Sequence, residues 1–298
     1  MNISSVFGSR VRQNAGFPPN FPHSGECGYS QFMNHRGTRI NRRPGLTLTE
    51  LLIAGTIMAI LVAGMGSLVT AVHGTNAYCR GQAVAAQHAR VTLDRIDRAV
   101  RQATASGEFP GCLVITETIG GFDFPDTLVV WSPTTNAAAP TGLPRVNELA
   151  LYCPDPAAPN ALVEIRSPNN ANACPAVADE AAWATLVAGI KASSDSVQVQ
   201  LTDRLRTATI NGSGTGDLRG CVRFDVLMAP SASDWSRYRG GTLAWKDIAW
   251  PLDFYSTQTG MRRVVCQSEL QILPGDSTDG QTAAPFFGST TLTYELSR

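Results

Sequence analysis

The longest apolar run in the chain covers residues 51–72, where 22 consecutive positions carry no charged side chain. As a helix this run would be about 33 Å long, enough to cross a bilayer core of about 30 Å. A helix buried in a soluble core is rarely apolar on every face over about six turns. The pattern therefore favours a membrane-spanning helix over residues 46–72, and a core helix is the alternative.

Beyond residue 72 the chain becomes polar but keeps a helical period. Apolar residues recur at steps of four and three, at Ala89, Leu93, Ile96, Val100 and Ala103. Such a stripe on an otherwise charged helix predicts an amphipathic segment with one buried face. We expect one helix over residues 46–105, with its outer half packed on the domain that follows.

From residue 106 onwards the pattern changes to short apolar runs separated by Pro, Gly, Asn and Ser, which is typical of strands and turns. The predicted strands cover residues 112–118, 126–131, 148–153, 161–166, 196–202, 220–228, 261–273 and 290–296. Residues 179–190 are the further helix candidate. The predicted fold class is α+β, a long N-terminal helix on an antiparallel β-rich globular domain.

The predicted organisation has three parts: residues 1–45, the helix of residues 46–105, and a β-rich domain of residues 106–298. The formal net charge of zero divides between them. Residues 1–45 contain six Arg and one Glu, whereas the rest contains 18 basic and 23 acidic residues. Because basic residues stay on the cytoplasmic side of a membrane, we expect a cytoplasmic N-terminus and an exported C-terminal domain.

Other interpretations of the N-terminal region are a removed signal sequence and a later translation start. A cleaved secretory signal would need a shorter apolar region and an A-x-A site close behind it, and neither occurs. The pair Arg42-Arg43 is followed by Pro44 and Gly45, unlike a twin-arginine signal. Translation could also begin at Met33, which would leave a basic leader of residues 33–45.

The segment around the start of the apolar run carries a recognisable motif. A basic leader ends in Gly45, the apolar residue Leu46 follows, and Glu50 stands four positions later against the membrane run. This resembles the cleavage and methylation site of the type IV pilin family, which includes the pseudopilins of type II secretion. The family more often has Phe or Met where this chain has Leu46.

The resemblance implies cleavage after Gly45 by a prepilin peptidase and N-methylation of Leu46. It also implies the pilin-like fold and partners in other pilin or pseudopilin subunits and an inner-membrane assembly platform. A carboxylate at the edge of hydrocarbon is costly unless it is paired. Glu50 would pair with the α-amino group of Leu46, and the resemblance favours the amine of a neighbouring subunit. The alternative is that Glu50 lies unpaired among the lipid headgroups.

Cysteine usage agrees with export. One of the seven cysteines lies in the predicted leader, and six follow it: Cys79, Cys112, Cys153, Cys174, Cys221 and Cys266. An even number in an exported domain is compatible with disulfides, but six cysteines permit 15 pairings and the sequence does not choose among them. The alternative is that several are small buried thiols.

Little in the sequence indicates catalysis. All four histidines precede residue 89, so the β-rich domain has none for a Ser-His-Asp site or a His-ligated metal. Asp276 and Asp279 could offer oxygens to Ca²⁺, but two carboxylates are few for that ion. The glycine-rich residues 211–216 lack the rest of a nucleotide fingerprint. Core packing is the expected use of most of the five tryptophans. We expect no enzyme, cofactor or metal.

The function implied by the resemblance is structural. We expect a minor subunit of a type II secretion pseudopilus, similar to the J-type, at or near the tip because the domain is large and loop-rich. A W-type minor pilin of a type IV pilus, serving assembly, adhesion or DNA uptake, is the alternative. The exported part carries net negative charge, which disfavours nucleic-acid binding. A membrane-anchored enzyme is the least favoured hypothesis. The expected location is the inner membrane, then a periplasmic or surface fibre.

Overall fold

The computed structural model describes residues 45–119, 121–133, 142–210, 218–275 and 282–298. Contacts divide the chain between Ala59 and Ile60, and the parts on either side are treated separately below. Helix α1 covers Leu48–Arg101, and antiparallel β structure follows it. The architecture is therefore mixed α+β, with a long apolar N-terminal helix before a β-rich region, as the hydrophobic pattern predicts.

The larger sheet is a meander of five antiparallel strands, each paired with the strand before it in the chain. Its strands are β1 (Cys112–Ile119), β2 (Phe122–Trp131), β3 (Leu149–Pro154), β4 (Leu162–Arg166) and β5 (Val197–Thr202). All five were predicted within a few residues. Strands β3 and β4 form an antiparallel hairpin with a Pro-rich connection.

A second sheet contains three strands and a third sheet two. The short pair is β6 (Thr207–Thr209) and β7 (Leu218–Gly220), and the three-stranded sheet has β8 (Val222–Ala229), β9 (Thr259–Ile272) and β10 (Ala284–Ser297). The central strand is β9, between β8 and β10. Along β9 the even-numbered residues from Gly260 to Ile272 are buried and the odd-numbered ones are more exposed. This strict period of two gives the sheet one inner face.

Two shorter helices lie among the strands. Helix α2 (Glu180–Ala192) was predicted, and the Asp179 side chain caps it by accepting from the Ala182 N–H. Helix α3 (Ala232–Arg239) is not among the elements that the sequence pattern predicts. The Ser231 side chain caps α3 by accepting from the Asp234 N–H, which satisfies one of the free donors of the first turn.

The main core forms where the outer half of α1 meets both larger sheets. Ala85, Ala89, Ile96 and Val100 of α1 are buried there together with residues of both sheets, such as Leu292 of β10. The predicted stripe is confirmed, with Leu93 and Ala103 only partly buried. Thr92 also lies in the stripe, and its buried hydroxyl has no hydrogen-bond partner within the described parts of the chain.

Two smaller clusters contain the tryptophans. Trp131 and Trp183 pack around Phe109 between the five-stranded sheet and α2. Trp235, Trp245 and Trp250 form a separate cluster near the end of β10. All five tryptophan side chains are buried, so the expectation that most of them serve core packing is confirmed.

The turn into β1 depends on Gly111. Its φ angle is +88°, a region that side chains disfavour. A Cβ atom added there would stand 2.5 Å from Cδ2 of Leu292 on β10, and 3.3 Å from the Thr104 carbonyl oxygen. Gly111 therefore lets the start of β1 approach the β9–β10 pair closely.

Replacing Gly111 should test this close approach. We expect Gly111→Ala to lower the free energy of unfolding by about 2–3 kcal/mol, because backbone strain and overpacking add. The measurement is denaturant unfolding of the full chain in detergent, followed by tryptophan fluorescence.

The matched control is Gly121→Ala. Gly121 also has a positive φ, of +84°, but an added Cβ would meet no atom within 4 Å. Only the backbone strain of a positive φ applies there, so the expected decrease in the free energy of unfolding is about 1 kcal/mol. Equal losses in the two variants would contradict the close packing at Gly111.

Candidate assembly and membrane segment

The first turn of α1 is capped by reciprocal hydrogen bonds between two residues. Oε2 of Glu50 accepts from the backbone N–H of Thr47 at 2.9 Å and from its hydroxyl at 2.9 Å. The Thr47 hydroxyl oxygen in turn accepts from the Glu50 N–H at 3.4 Å. This is a capping box, in which a Thr and a Glu three positions apart satisfy donors of the first turn.

The capping box gives Glu50 a partner that sequence analysis missed. Thr47-Leu48-Thr49-Glu50 has the T-x-x-E pattern of a helix start, so the signal was present in the sequence. The structure places Leu46 two residues before the first helical residue, Leu48. Glu50 can thus be satisfied within its own chain, whatever role it has toward an α-amino group.

The apolar part of α1 is exposed on every side. Its large apolar side chains from Leu46 to Val72 have exposed fractions between 52% and 77%. Monomeric soluble proteins rarely expose contiguous apolar surface beyond a few hundred Å². An all-round apolar helical surface of this length needs a lipid or protein environment to cover it.

By length and composition α1 can cross a membrane. Its most apolar 18-residue window has a mean hydropathy of 2.2, and none of that window is buried within the protein. A buried core helix, the alternative considered from sequence, would show the opposite. Among the residues that the structure describes there is one candidate span, which is compatible with a single-pass membrane protein.

The charged face of α1 is bound to the five-stranded sheet. Nε of Arg95 donates to Oε2 of Glu164 on β4 at 2.9 Å, and Nε of Arg166 donates to Oε1 of the same carboxylate at 2.8 Å. The Glu164 side chain is only 2% exposed. Burial alone would raise its pKa, but the two guanidinium groups outweigh burial and hold the pKa below its ordinary value of 4.5.

A second polar contact joins α1 to the three-stranded sheet. The Thr290 hydroxyl of β10 donates to Oδ1 of Asp97, which also accepts from Nε of Arg101 one turn further along α1. Asp97 and Arg101 thus form an ion pair between positions four residues apart on the helix. Asp97 and Arg95 therefore attach neighbouring positions of the helix to different sheets.

The six cysteines after residue 45 are all thiols in the structure, and no disulfide joins them. Cys79 is exposed on α1 and Cys221 is half-buried, whereas Cys112, Cys153, Cys174 and Cys266 are buried. The alternative of small buried thiols describes these four. Burial raises the pKa of Cys153 and of Cys174 to about 12, so neither is a reactive thiolate at neutral pH.

A cavity of about 580 Å³ lies beside β1, β7 and α2. It is lined partly by charged residues, and Nη1 of Arg219 contacts both Glu117 at 2.8 Å and Asp126 at 3.4 Å. Nζ of Lys191 donates to the hydroxyl of Thr127 at 2.8 Å. Burial raises the pKa of Asp126. Since these charged groups all contact one another or a neighbouring hydroxyl, the cluster joins strands and helix to each other.

Comparison with protein-family models, curated proteins and solved structures found no match. The candidate segment itself brings Gly45, Leu46 and Glu50 together at the start of an exposed apolar helix. The histidines that the structure describes, His73 and His88, both lie on α1. Asp276, Asp279 and the glycine-rich residues 211–216 lie outside the described residues. Within the described residues no three His, Cys, Asp or Glu side chains could hold a metal together.

The buried carboxylate of Glu164 generates a prediction about stability. Glu164→Gln should lower the free energy of unfolding of the full chain in detergent by about 2 kcal/mol at pH 7, because two charge-assisted hydrogen bonds are weakened. Denaturant unfolding measures the loss. Glu295→Gln on the exposed side of β10 is the control and should leave stability within about 0.5 kcal/mol.

The wild type and Glu164→Gln should also differ in how their free energy of unfolding depends on pH. The pKa of Glu164 is lowered by folding, so its stabilisation is complete above 4.5, its ordinary value, and is lost as the pH falls through the lower folded-state value. The difference between wild type and Glu164→Gln should therefore shrink below pH 4.5. A difference that stays constant to lower pH would contradict the ionic role of Glu164.

Proposed function

We propose that this chain is a structural subunit of a pilin-like fibre, a minor pseudopilin of type II secretion at or near the tip. The observation that supports this most directly is the exposed apolar helix that starts at Leu48, immediately after the Gly45-Leu46 processing motif. A helix that is apolar on all sides can rest in a bilayer and can later pack against identical or related helices. The β-rich region after α1 is compatible with the exported domain of such a subunit.

The proposed sequence of events begins with insertion of α1 into the inner membrane, the basic leader remaining in the cytoplasm. Prepilin peptidase then cleaves after Gly45, which frees the α-amino group of Leu46. The assembly platform extracts the helix from lipid into a bundle with helices of other subunits. No chemical turnover is part of this function, and the protein acts by assembly.

Glu50 has two roles in this proposal, one after the other. In the free subunit its carboxylate is held by Thr47 within the capping box. In the fibre it pairs with the α-amino group of a neighbouring subunit, which replaces a local hydrogen bond by an ionic one of greater strength at low dielectric. The capping box thus avoids an unpaired carboxylate at the membrane edge before assembly.

A minor pilin of a type IV pilus shares each of these features. The two kinds of fibre differ in their partner subunits, so the proposal commits to the pseudopilus and makes the partners an observable. Crosslinking in cells should recover other pseudopilins with this chain. Recovery of type IV pilins alone would assign it to a pilus instead.

The mature N-terminus is the first test. Mass spectrometry of the chain purified from membranes should find Leu46 as the first residue, carrying one additional methyl group. Gly45→Val should keep the leader, as the resemblance implies, and so supplies the control. An intact leader in the wild type, or a first residue near 73, would refute the processing step.

Two substitutions separate the roles of Glu50. Glu50→Gln keeps an oxygen that can accept from Thr47 but removes the charge, whereas Thr47→Ala removes a capping hydroxyl and keeps the charge. We expect Glu50→Gln to abolish incorporation into fibres. Thr47→Ala should lose about 1 kcal/mol of helix stability and still assemble.

The readout is the share of the subunit found in sheared fibres relative to membranes, by immunoblot. Both variants should insert into the membrane as the wild type does. If Glu50→Gln assembles normally and Thr47→Ala does not, Glu50 acts through the cap alone, and the intermolecular pairing is refuted.

A further inference from the structure

Cys112 and Cys266 belong to different sheets but lie in the same buried cluster. Cys112 is the first residue of β1, and Cys266 lies in the middle of β9. Their exposed fractions are 0% and 3%. Both side chains are part of the main core that also contains the buried stripe of α1.

The strand registers explain why these two residues meet. Gly111, next to Cys112, lies against Leu292 of β10. In the β9–β10 register Leu292 is opposite Val264, and Thr290 is opposite Cys266. Val264 and Cys266 share the buried face of β9, so the start of β1 lies over the part of β9 that presents Cys266.

Cys266 also influences the ionisation of the Cys112 thiol. A side-chain contact with Cys266 contributes, together with burial, to a Cys112 pKa well above its ordinary value. The remaining described cysteines show no such partner: Cys153 and Cys174 lie in another cluster, where burial is the main influence on the pKa of each. Cys79 is exposed on α1 and Cys221 is half-buried near Arg206 and Glu269.

We propose that Cys112 and Cys266 are the disulfide pair of the exported protein and covalently join the five-stranded sheet to the three-stranded sheet. The inference rests on the proposed function in one respect, that export brings the chain into an oxidising compartment. It names one bond, which occurs in three of the 15 complete pairings that six cysteines permit.

The reaction is an ordinary thiol–disulfide exchange. One cysteine, as thiolate, attacks the S–S bond of a disulfide oxidant, and a mixed disulfide forms as the first thiol of the oxidant leaves. The second cysteine then attacks the mixed disulfide, forms the intramolecular S–S bond and releases the second thiol of the oxidant. The protein loses two electrons and two protons, which the oxidant gains. Since both sulfur atoms are buried after folding, the exchange takes place while the domain folds.

The decisive experiment is a refolding of the full chain in detergent. The reduced, unfolded chain is refolded with oxidised and reduced glutathione, free thiols are blocked with N-ethylmaleimide, and the chain is digested without reduction. We expect one linked pair of peptides that contain Cys112 and Cys266, lighter by two hydrogen atoms than the separate peptides and released by reduction. Recovery of both cysteines as blocked thiols, or in links with other cysteines, would overturn the pairing.

Two cysteine variants test the Cys112–Cys266 link in addition to the peptide map of the wild type. Cys112→Ser should remove the link and leave Cys266 as a blocked thiol, whereas the exposed Cys79→Ser should leave the link unchanged. The wild-type map decides the question even if Cys112→Ser fails to fold. A link that disappears in Cys79→Ser would also overturn the proposal.

The same mapping on protein taken directly from cells separates this inference from the proposed function. The chain is taken from cells into acid, so that thiols cannot exchange, and is mapped in the same way. A link in both preparations supports pairing and export together. A link after refolding but free thiols in cells upholds the pairing and refutes export of the domain.

Discussion

Burial of one stripe of α1 organises the rest of this protein. Ala85, Ala89, Ile96 and Val100 enter a core to which both larger sheets contribute. The two alanines have short side chains, so the helix axis can lie close to the strands beneath it. Without the stripe, the inner faces of both sheets would present apolar residues such as Leu128 and Val264 to water. Each sheet is antiparallel and locally connected. The two sheets also contact each other directly, through β1 and β2 against β8, and the helix completes the core that they share.

Much of the fold could be predicted because it depends on local periodicity. The strict alternation of β9 and the stepwise stripe of α1 are visible in the sequence, since each residue's environment follows from its position along one element. Helix α3 was missed because it is eight residues long and mostly polar, so it has no apolar stripe. Its signals were at its ends, in Ser231, Asp234 and Gly240.

The candidate site likewise has local features that the sequence could predict and long-range contacts that it could not. The apolar run, Gly45 and Glu50 are neighbours in sequence and could be recognised together. The capping box is equally local, and the T-x-x-E pattern of residues 47–50 is sufficient to predict it. The ionic contact of Arg95 with Glu164 joins positions 69 residues apart, and no periodic pattern indicates which acid a helical arginine will meet. The neighbourhood of Cys112 and Cys266 likewise depends on the packing of two sheets.

The distribution of contacts along α1 has a mechanical consequence. The buried stripe from Ala85 to Val100 extends over about 22 Å of helix, and Arg95–Glu164 and Asp97–Thr290 lie within the same stretch. A force directed along the helix axis would load these contacts side by side in shear rather than one after another. All of them must then yield together, which is the arrangement that resists rupture best for a given number of weak bonds. Within this stretch, α1 is therefore held on both sheets by contacts that act in parallel against tension along its axis.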